Sequence, residues 1–334
     1  MAAAGEAQAA RWRTPAVRDV EHDMTDVTFD VIAATVLGGC DEPTADLIKA
    51  SVDDYLAPIA WDIAFGILEL PRWLWYPRRG RQRRSAARIR TELGKIVSGR
   101  RAARAEHDDL LGRLMSARGA EDGAALSETE LVDNLATFLV AGHETTAKAL
   151  TWTLYLLARA PEWQDRIRAE VAAVAAERTI AAGDLDRLVV TEMVLKEAMR
   201  LYPPAPVMSR QAAADGMLGG HAIKTNALIT IPIYAMHRHR QLWDDPDRFD
   251  PERFAPAVSG KLGRTQFMPF GFGPRTCIGS VFAMIEAKVL LATFVRAARF
   301  GWDGRHMPEP VSRVTLRPKG GMPLAVDPIA APSA

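Results

Sequence analysis

Ser127-x-x-Glu130 forms a capping box directly before the run LVDNLATFLVAGHETTAKALTWTLYLLARA, and Pro161 ends that run. The pattern predicts one helix of roughly 32 residues, about 48 Å long at 1.5 Å of rise per residue. Both halves are apolar nearly all round, so the helix has to be covered on every side and to cross the protein interior. Its centre breaks the pattern. Ala141-Gly142-His143-Glu144-Thr145-Thr146 sets a glycine, two ionisable groups and two β-branched alcohols where a buried helix carries Leu or Ala. A mid-helix glycine costs about 1 kcal/mol relative to Ala, and a threonine hydroxyl bonded back to a carbonyl bends a helix and opens space. The stretch is either a solvated patch or a functional site. A zinc site of the His-Glu-x-x-His type is excluded, because Ala147 stands where the second histidine belongs.

A second stretch, Phe267 to Lys288, reads as an extended run, a loop rich in glycine and proline, one cysteine, and a helix. Gly271, Gly273 and Pro274 disfavour regular structure before Cys277, and from Ser280 apolar residues return at helical spacing through Val281, Met284, Ile285 and Val289. Cys277 thus lies near a helix N-terminus, where unsatisfied N–H groups and the helix dipole favour a thiolate, and Arg275 adds a cation. A lone cysteine is also commonly a small buried hydrophobe. A phosphate loop fits poorly: Gly271-Phe272-Gly273 lacks a third glycine and no Gly-Lys-Ser/Thr follows.

Composition narrows the classes. The 334 residues suffice for one large domain or two ordinary ones. Lys and Arg total 42 against 41 acids, a net charge of +1 that carries no nucleic-acid or membrane signal. Cys40 is the only other cysteine, which argues against a disulfide framework and fits a reducing compartment. Met1 to Ala10 has no apolar core of the signal-peptide kind, and Leu56 to Leu70 is interrupted by Asp62 and Glu69 and is too short to span a bilayer.

Along the chain, Asp23 to Leu37 predicts a helix capped by Thr25 or Asp26 and closed by Gly38-Gly39, and Asp46 to Tyr55 predicts another. Ala57 to Tyr76, rich in Trp, Phe, Ile and Leu, reads first as core. Arg78 to Arg104 holds eleven basic residues and the single acid Glu92, with Ile89, Leu93, Ile96 and Val97 on one stripe: a long amphipathic helix with a solvated basic face. Further helices are expected over Pro161 to Glu177 and Leu188 to Leu201. On the latter, Glu197 and Arg200 share a face. Met208 to Ala235 alternates turn residues with short β-rich runs, and Val314 to Val326 reads as a hairpin turning at Gly320-Gly321.

The pattern Phe270-x-x-Gly273-x-Arg275-x-Cys277-x-Gly279 resembles the haem-binding loop of the cytochrome P-450 family. Ala141 to Thr146 resembles that family's oxygen-binding helix motif, Glu197-x-x-Arg200 its charged helix, and Phe249-Asp250-Pro251-Glu252-Arg253-Phe254 the segment that supplies a third charge. The four stand in family order over roughly residues 20 to 326. The resemblance implies a mainly α fold with small β-sheets: an unstructured or short helical lead at 1–20, one haem-thiolate domain at 21–326 (helix-rich 21–202, mixed β and loop 203–279, helix 280–299, terminal hairpin 311–326), and a tail at 327–334. It implies haem b ligated by the Cys277 thiolate, which favours O–O cleavage. Ala141 and Gly142 would leave room over the haem, and Glu144 and Thr145 would pass protons during oxygen activation. Arg210 and Arg275 would bind propionates, Phe270 and Gly279 would shape the loop, Ala205 to Met208 would wall the pocket, and Glu197, Arg200 and Arg253 would form a structural charge triad.

The activity so implied is insertion of one oxygen atom from O2 into an apolar organic substrate, with electrons from a separate ferredoxin or flavin reductase that docks near Arg275 and Lys288. A cytoplasmic protein like the soluble bacterial members, without nucleic-acid partner or membrane span, is the matching expectation. Peroxide-driven chemistry is disfavoured by the intact Glu144-Thr145 pair. The chain is N-terminally shortened against the family pattern, lacking most of the first β-sheet, a loop over the substrate and a Trp/His-x-x-x-Arg helix that Trp12-Arg13 does not restore. The alternative is therefore a truncated, non-catalytic or weakly haem-binding product. Ala57 to Tyr76 would by the same resemblance be a mobile apolar cover.

Overall fold

The computed structural model describes all residues except 39–40, 69, 72, 104–108, 119–122, 264 and 330–334. Cys40, Gly39, Arg104 and most of the predicted tail lie outside the described residues.

In chain order the elements are α1 (Ala2–Ala9), β1 (Ala16–Asp19), α2 (Val20–Val36), α3 (Glu42–Leu56), α4 (Ile59–Ile67), α5 (Arg79–Ala103), α6 (Leu110–Ser116), α7 (Glu128–Arg159), α8 (Pro161–Ala175), α9 (Val189–Leu201), β2 (Met208–Gln211), β3 (Gly216–Leu218), β4 (His221–Ile223), β5 (Leu228–Ile231), α10 (Ile233–Met236), α11 (Pro256–Ser259), α12 (Ser280–Ala297), β6 (Ala298–Gly301), β7 (Pro310–Ser312), β8 (Leu316–Pro318) and β9 (Pro323–Pro328). The chain is mostly helical with small antiparallel sheets, as the sequence predicts. It forms two compact units, one of residues 1–24 and 145–334, the other of residues 25–144.

In the larger unit, β9 sits between β1 and β6 in an antiparallel sheet, with Val17 opposite Ala325 and Phe300 opposite Val326. Leu324, Val326 and Phe300 turn into the core, where Trp12 packs on Phe294 and Phe300 at ring distances of 5.1 and 5.6 Å. The Trp12 indole donates to Asp23 at 3.1 Å, so this tryptophan is a core residue with its one polar atom satisfied. Gln164 at the start of α8 ties the same sheet in. Its amide donates to the Leu157 and Phe300 carbonyls at 2.9 and 2.8 Å and accepts from the Phe300 N–H at 3.0 Å. The second half of α12, Glu286 to Val295, is buried throughout, and α1, α8 and α9 pack on this helix.

Two expectations change here. The lead contains a strand, β1, whose partner lies some three hundred residues away. The terminal hairpin does not form as predicted: Gly320 and Gly321 do make the turn, at φ 83° and 88°, but β8 pairs with β7 and β9 leaves for β1 and β6. Asp19, ending β1, accepts the Met322 N–H at 2.8 Å and captures the chain just past the glycines.

In the smaller unit α3 and α5 pack together, with Ile48 and Val52 of α3 and Ile89, Leu93 and Val97 of α5 buried and the arginines of α5 outward. Asp41 caps α3 by accepting the Thr44 N–H at 2.9 Å, which starts the helix four residues before the predicted Asp46. Most of the Ala57 to Tyr76 stretch is not core: among its described residues only Pro58 and Tyr76 are buried. Helix α4 buries no residue, and Trp73 and Trp75 after it are 78% and 77% exposed.

Helix α7 runs unbroken for 32 residues across the central anomaly. Its capping box is formed: Glu130 accepts from the Ser127 N–H at 2.8 Å and returns its own N–H to Ser127 Oγ at 3.2 Å. Among the described residues no helix is long and apolar enough to cross a membrane.

Candidate functional site

The cysteine loop is shaped by backbone bonds. The Gly271 N–H donates to the Met268 carbonyl at 3.0 Å, the Cys277 N–H to the Phe270 carbonyl at 2.9 Å, and Gly273 to Arg275 form a single 3₁₀ turn. Gly271 has φ 80°, which favours glycine, and a Cβ there would press on Met208 Sδ at 3.0 Å. That contact lays β2 alongside the loop. Met208 and Arg210 are two apart on β2 and point to the same side, which brings Arg210 to the face that carries Cys277's loop.

The thiol of Cys277 is free and exposed, not a buried hydrophobe. Around it Phe272, Ile278 and Val281 are 45%, 87% and 70% exposed, and the Arg275 side chain is exposed too. Helix α12 begins at Ser280 with Gly279 as its cap, and its first turns stay open where its second half is buried. Among the described residues no group of three or more His, Cys, Asp or Glu could hold a metal ion. One exposed thiol on a loop that carries apolar side chains and Arg275 fits a metal held mainly by a large apolar macrocycle with acidic substituents.

The α7 motif divides by face. Ala141 is exposed and Thr145 half-buried on one side, four residues apart, whereas His143 and Glu144 are buried. His143 Nδ1 bonds the Leu139 carbonyl at 2.8 Å, and its own carbonyl accepts from the Thr28 hydroxyl at 3.0 Å. Gly142 has a packing reason: a Cβ there would lie 2.9 Å from Ile32 Cδ1 of α2. The small residue on the open face is Ala141.

The charge triad assembles. Arg200 and Glu197 are both fully buried and joined by two hydrogen bonds, Nε to Oε2 at 2.6 Å and Nη2 to Oε1 at 2.8 Å. The Asp250 N–H donates to Oε1 at 2.9 Å, and Arg253 stands at 3.5 Å. Burial pushes the Glu197 carboxyl up, opposed first by Arg200. With both oxygens hydrogen-bonded, a second arginine close by and a guanidinium that does not release its proton, the pair is ionic. Arg200 spends its remaining donors on the carbonyls of His237, Pro246 and Arg248, at 2.8, 2.7 and 3.0 Å, tying α9 to the segment that leads into Arg253.

Lys288 is not available for docking: it is buried and paired with Glu192 at 2.8 Å. Glu286, which no spacing argument singled out, is 1% exposed on α12 with no hydrogen bond of normal geometry at either oxygen, and burial pushes its carboxyl up to about 8, opposed by the Thr146 hydroxyl. A cleft of about 560 Å³ lined by Arg159, Tyr202, Tyr234 and Arg238 lies elsewhere and includes none of the cysteine-loop residues.

The family model for Cytochrome P450 matches residues 5–324. The chain belongs to the cytochrome P450 family. It is 35% identical over 289 residues to a cyclooctat-9-en-7-ol 5-monooxygenase of Streptomyces melanosporofaciens, covering 84% of this chain and 61% of that one. It is 40% identical over 225 residues to cytochrome P450 714C3 of Oryza sativa subsp. japonica, covering 66% and 44%. The haem domain of cytochrome P450DA superposes with a TM-score of 0.88 at 26% identity, covering 98% of this chain and 72% of that one. The chain spans roughly half the length of the curated relatives it matches, from 44% to 61% for these two. Haem is the cofactor that membership implies.

Proposed function

We propose that this chain forms the thiolate side of a haem-dependent monooxygenase, its two units belonging to one haem domain over residues 21–326. Family membership supports this, and the observation that carries it is the free, exposed Cys277 thiol on a loop whose neighbours are apolar or guanidinium. Bound haem b would supply the oxygen chemistry, with electrons from a separate ferredoxin or flavin reductase, and an apolar organic molecule would receive one oxygen atom. Cys277 would ligate the iron. Phe270 would hold the Cys277 N–H through its carbonyl, and Gly279 would begin the helix behind it. Arg210 and Arg275 would neutralise propionates. Ala141 would give the helix its small-residue face, with Gly142 beside it letting Ile32 pack close, and Glu144 with Thr145, consecutive on α7, would hold and hand on a proton. Glu197, Arg200 and Arg253 would hold the backbone behind the loop. The protein would work in the cytoplasm.

Replacing Cys277 by Ser tests the assignment. The red-shifted Soret band of the reduced carbon monoxide complex should be present in the parent and absent from the variant; a variant that keeps the band refutes thiolate ligation. The competing reading, a chain that binds haem weakly and does not turn over, is supported instead by a haem-to-protein ratio well below one in the purified parent.

A further inference from the structure

His237 follows α10 and is fully buried. Its ring and its backbone face two different parts of the larger unit. Nε2 accepts the Met268 N–H at 3.0 Å, and the ring stacks on Phe267 at 5.4 Å. The His237 carbonyl accepts from Arg200 Nη1 at 2.8 Å. From Met268 the bonds continue to the cysteine: the Met268 carbonyl takes the Gly271 N–H, and the Phe270 carbonyl takes the Cys277 N–H. One residue therefore touches the Glu197–Arg200 pair on one side and the start of the cysteine loop on the other.

We propose that His237 is a positioning residue for the cysteine loop, its neutral imidazole fixing the backbone at Met268 while its carbonyl anchors it to Arg200. An acceptor at Nε2 requires the ring's single proton to sit on Nδ1, which faces the Met199 and Arg200 carbonyls without a hydrogen bond of normal geometry to either. Protonation would convert Nε2 from acceptor to donor and set two N–H groups against each other. The site resists that: burial pushes the imidazole down to about 4, helped by the Arg200 and Arg238 guanidiniums and opposed by the Met199 and Arg200 carbonyls. Glu197 stands behind Arg200, already bonded to it. On the loop side the ring meets Phe267, which carries no charge. The loop is thus held by a bond that stays intact through the neutral range and is lost in acid. The inference deepens the reading of this loop as the haem cradle and rests on that reading for its functional meaning.

Amide hydrogen exchange on the full chain tests it and needs no haem. The protection factor of the Met268 amide should fall about ten-fold or more in His237→Leu. His237→Gln should keep most of it, because its side-chain oxygen can accept in place of Nε2. In the parent, Met268 should lose protection as pH falls through about 4, while the α12 amides around Leu290 stay protected. Met268 protection within about two-fold of the parent in His237→Leu would overturn the proposal, as would protection that survives that acid step with α12 intact. Should His237→Leu fail to fold, the parent's pH series decides. Failure here leaves the thiolate assignment standing, since that is read separately from the carbon monoxide spectrum.

Discussion

Glu197 and Glu286 are both carboxylic acids buried to 1% exposure or less in the same unit, and the chain treats them in opposite ways. Glu197 has two guanidinium hydrogen bonds, a backbone N–H and a second arginine at 3.5 Å. Among the described residues Glu286 has no guanidinium partner and no hydrogen bond of normal geometry at either oxygen, with the Thr146 hydroxyl nearby, and its carboxyl is pushed up to about 8. A buried acid persists either by gathering enough donors to keep its charge or by keeping its proton. The first solution ties α9 rigidly to the segment carrying Arg253; the second leaves a neutral acid on the helix that follows Cys277.

The largest effect should come from stripping Glu197 of its partner. Arg200→Met leaves a buried carboxylate facing only a backbone N–H and a distant guanidinium, at a cost of about 3–5 kcal/mol in urea unfolding. A loss under about 1 kcal/mol would mean that the charge is not isolated from water, and would dissolve the contrast with Glu286.

Glu286→Gln comes next, and its signature is a slope with pH. The folded carboxyl keeps its proton up to about pH 8, whereas the unfolded one releases it near the ordinary 4.5. Between those values the unfolded state binds fewer protons than the folded state, so parent stability falls as pH rises and the penalty is complete above about 8. The glutamine variant has no such term, and its stability relative to the parent should improve by on the order of a few kcal/mol from pH 5 to pH 8. Parallel curves for the two proteins across that window would show that Glu286 is ionised when folded.

The two acids also differ in how they read in the sequence. Glu197 and Arg200 declare themselves by a three-residue spacing on a helix, and the capping box and Pro161 bound α7 to within a residue, because these are local signals. Arg253 was reachable only through the family pattern. Glu286 and His237 gave no signal, since burial and a missing or shared hydrogen bond are properties of tertiary packing. The same holds for β1, whose four residues show no inward alternation and find their partner at the far end of the chain. Gly142 was legible as anomalous but not as a contact with Ile32. The exposure of Trp73 and Trp75 contradicts their hydrophobicity, which is the one thing composition reports.

Arg253→Gln should cost less than Arg200→Met, about 1 kcal/mol. The 3.5 Å approach to Glu197 is an ion pair without a hydrogen bond, Arg253 Nε being unbonded, and the group's firm contact is Nη2 to the Asp245 carbonyl at 2.9 Å. A cost approaching that of Arg200→Met would show that Glu197 needs three donors from arginine rather than two.

The smallest effect tests charges that are not buried at all. Arg83 and Arg84 lie on the outward side of α5, which turns Ile89, Leu93 and Val97 into the smaller unit. Water screens an exposed guanidinium, and most such positions shift stability by less than about 0.5 kcal/mol. The double variant Arg83→Glu/Arg84→Glu should therefore unfold with the parent. If electron donors approach the exposed surface around Arg275, it should also turn over at the parent's rate with a supplied reductase. Slower turnover with unchanged haem content would place the donor's docking surface on α5, making the basic face of that helix, and not the cysteine loop, the charge that partners read.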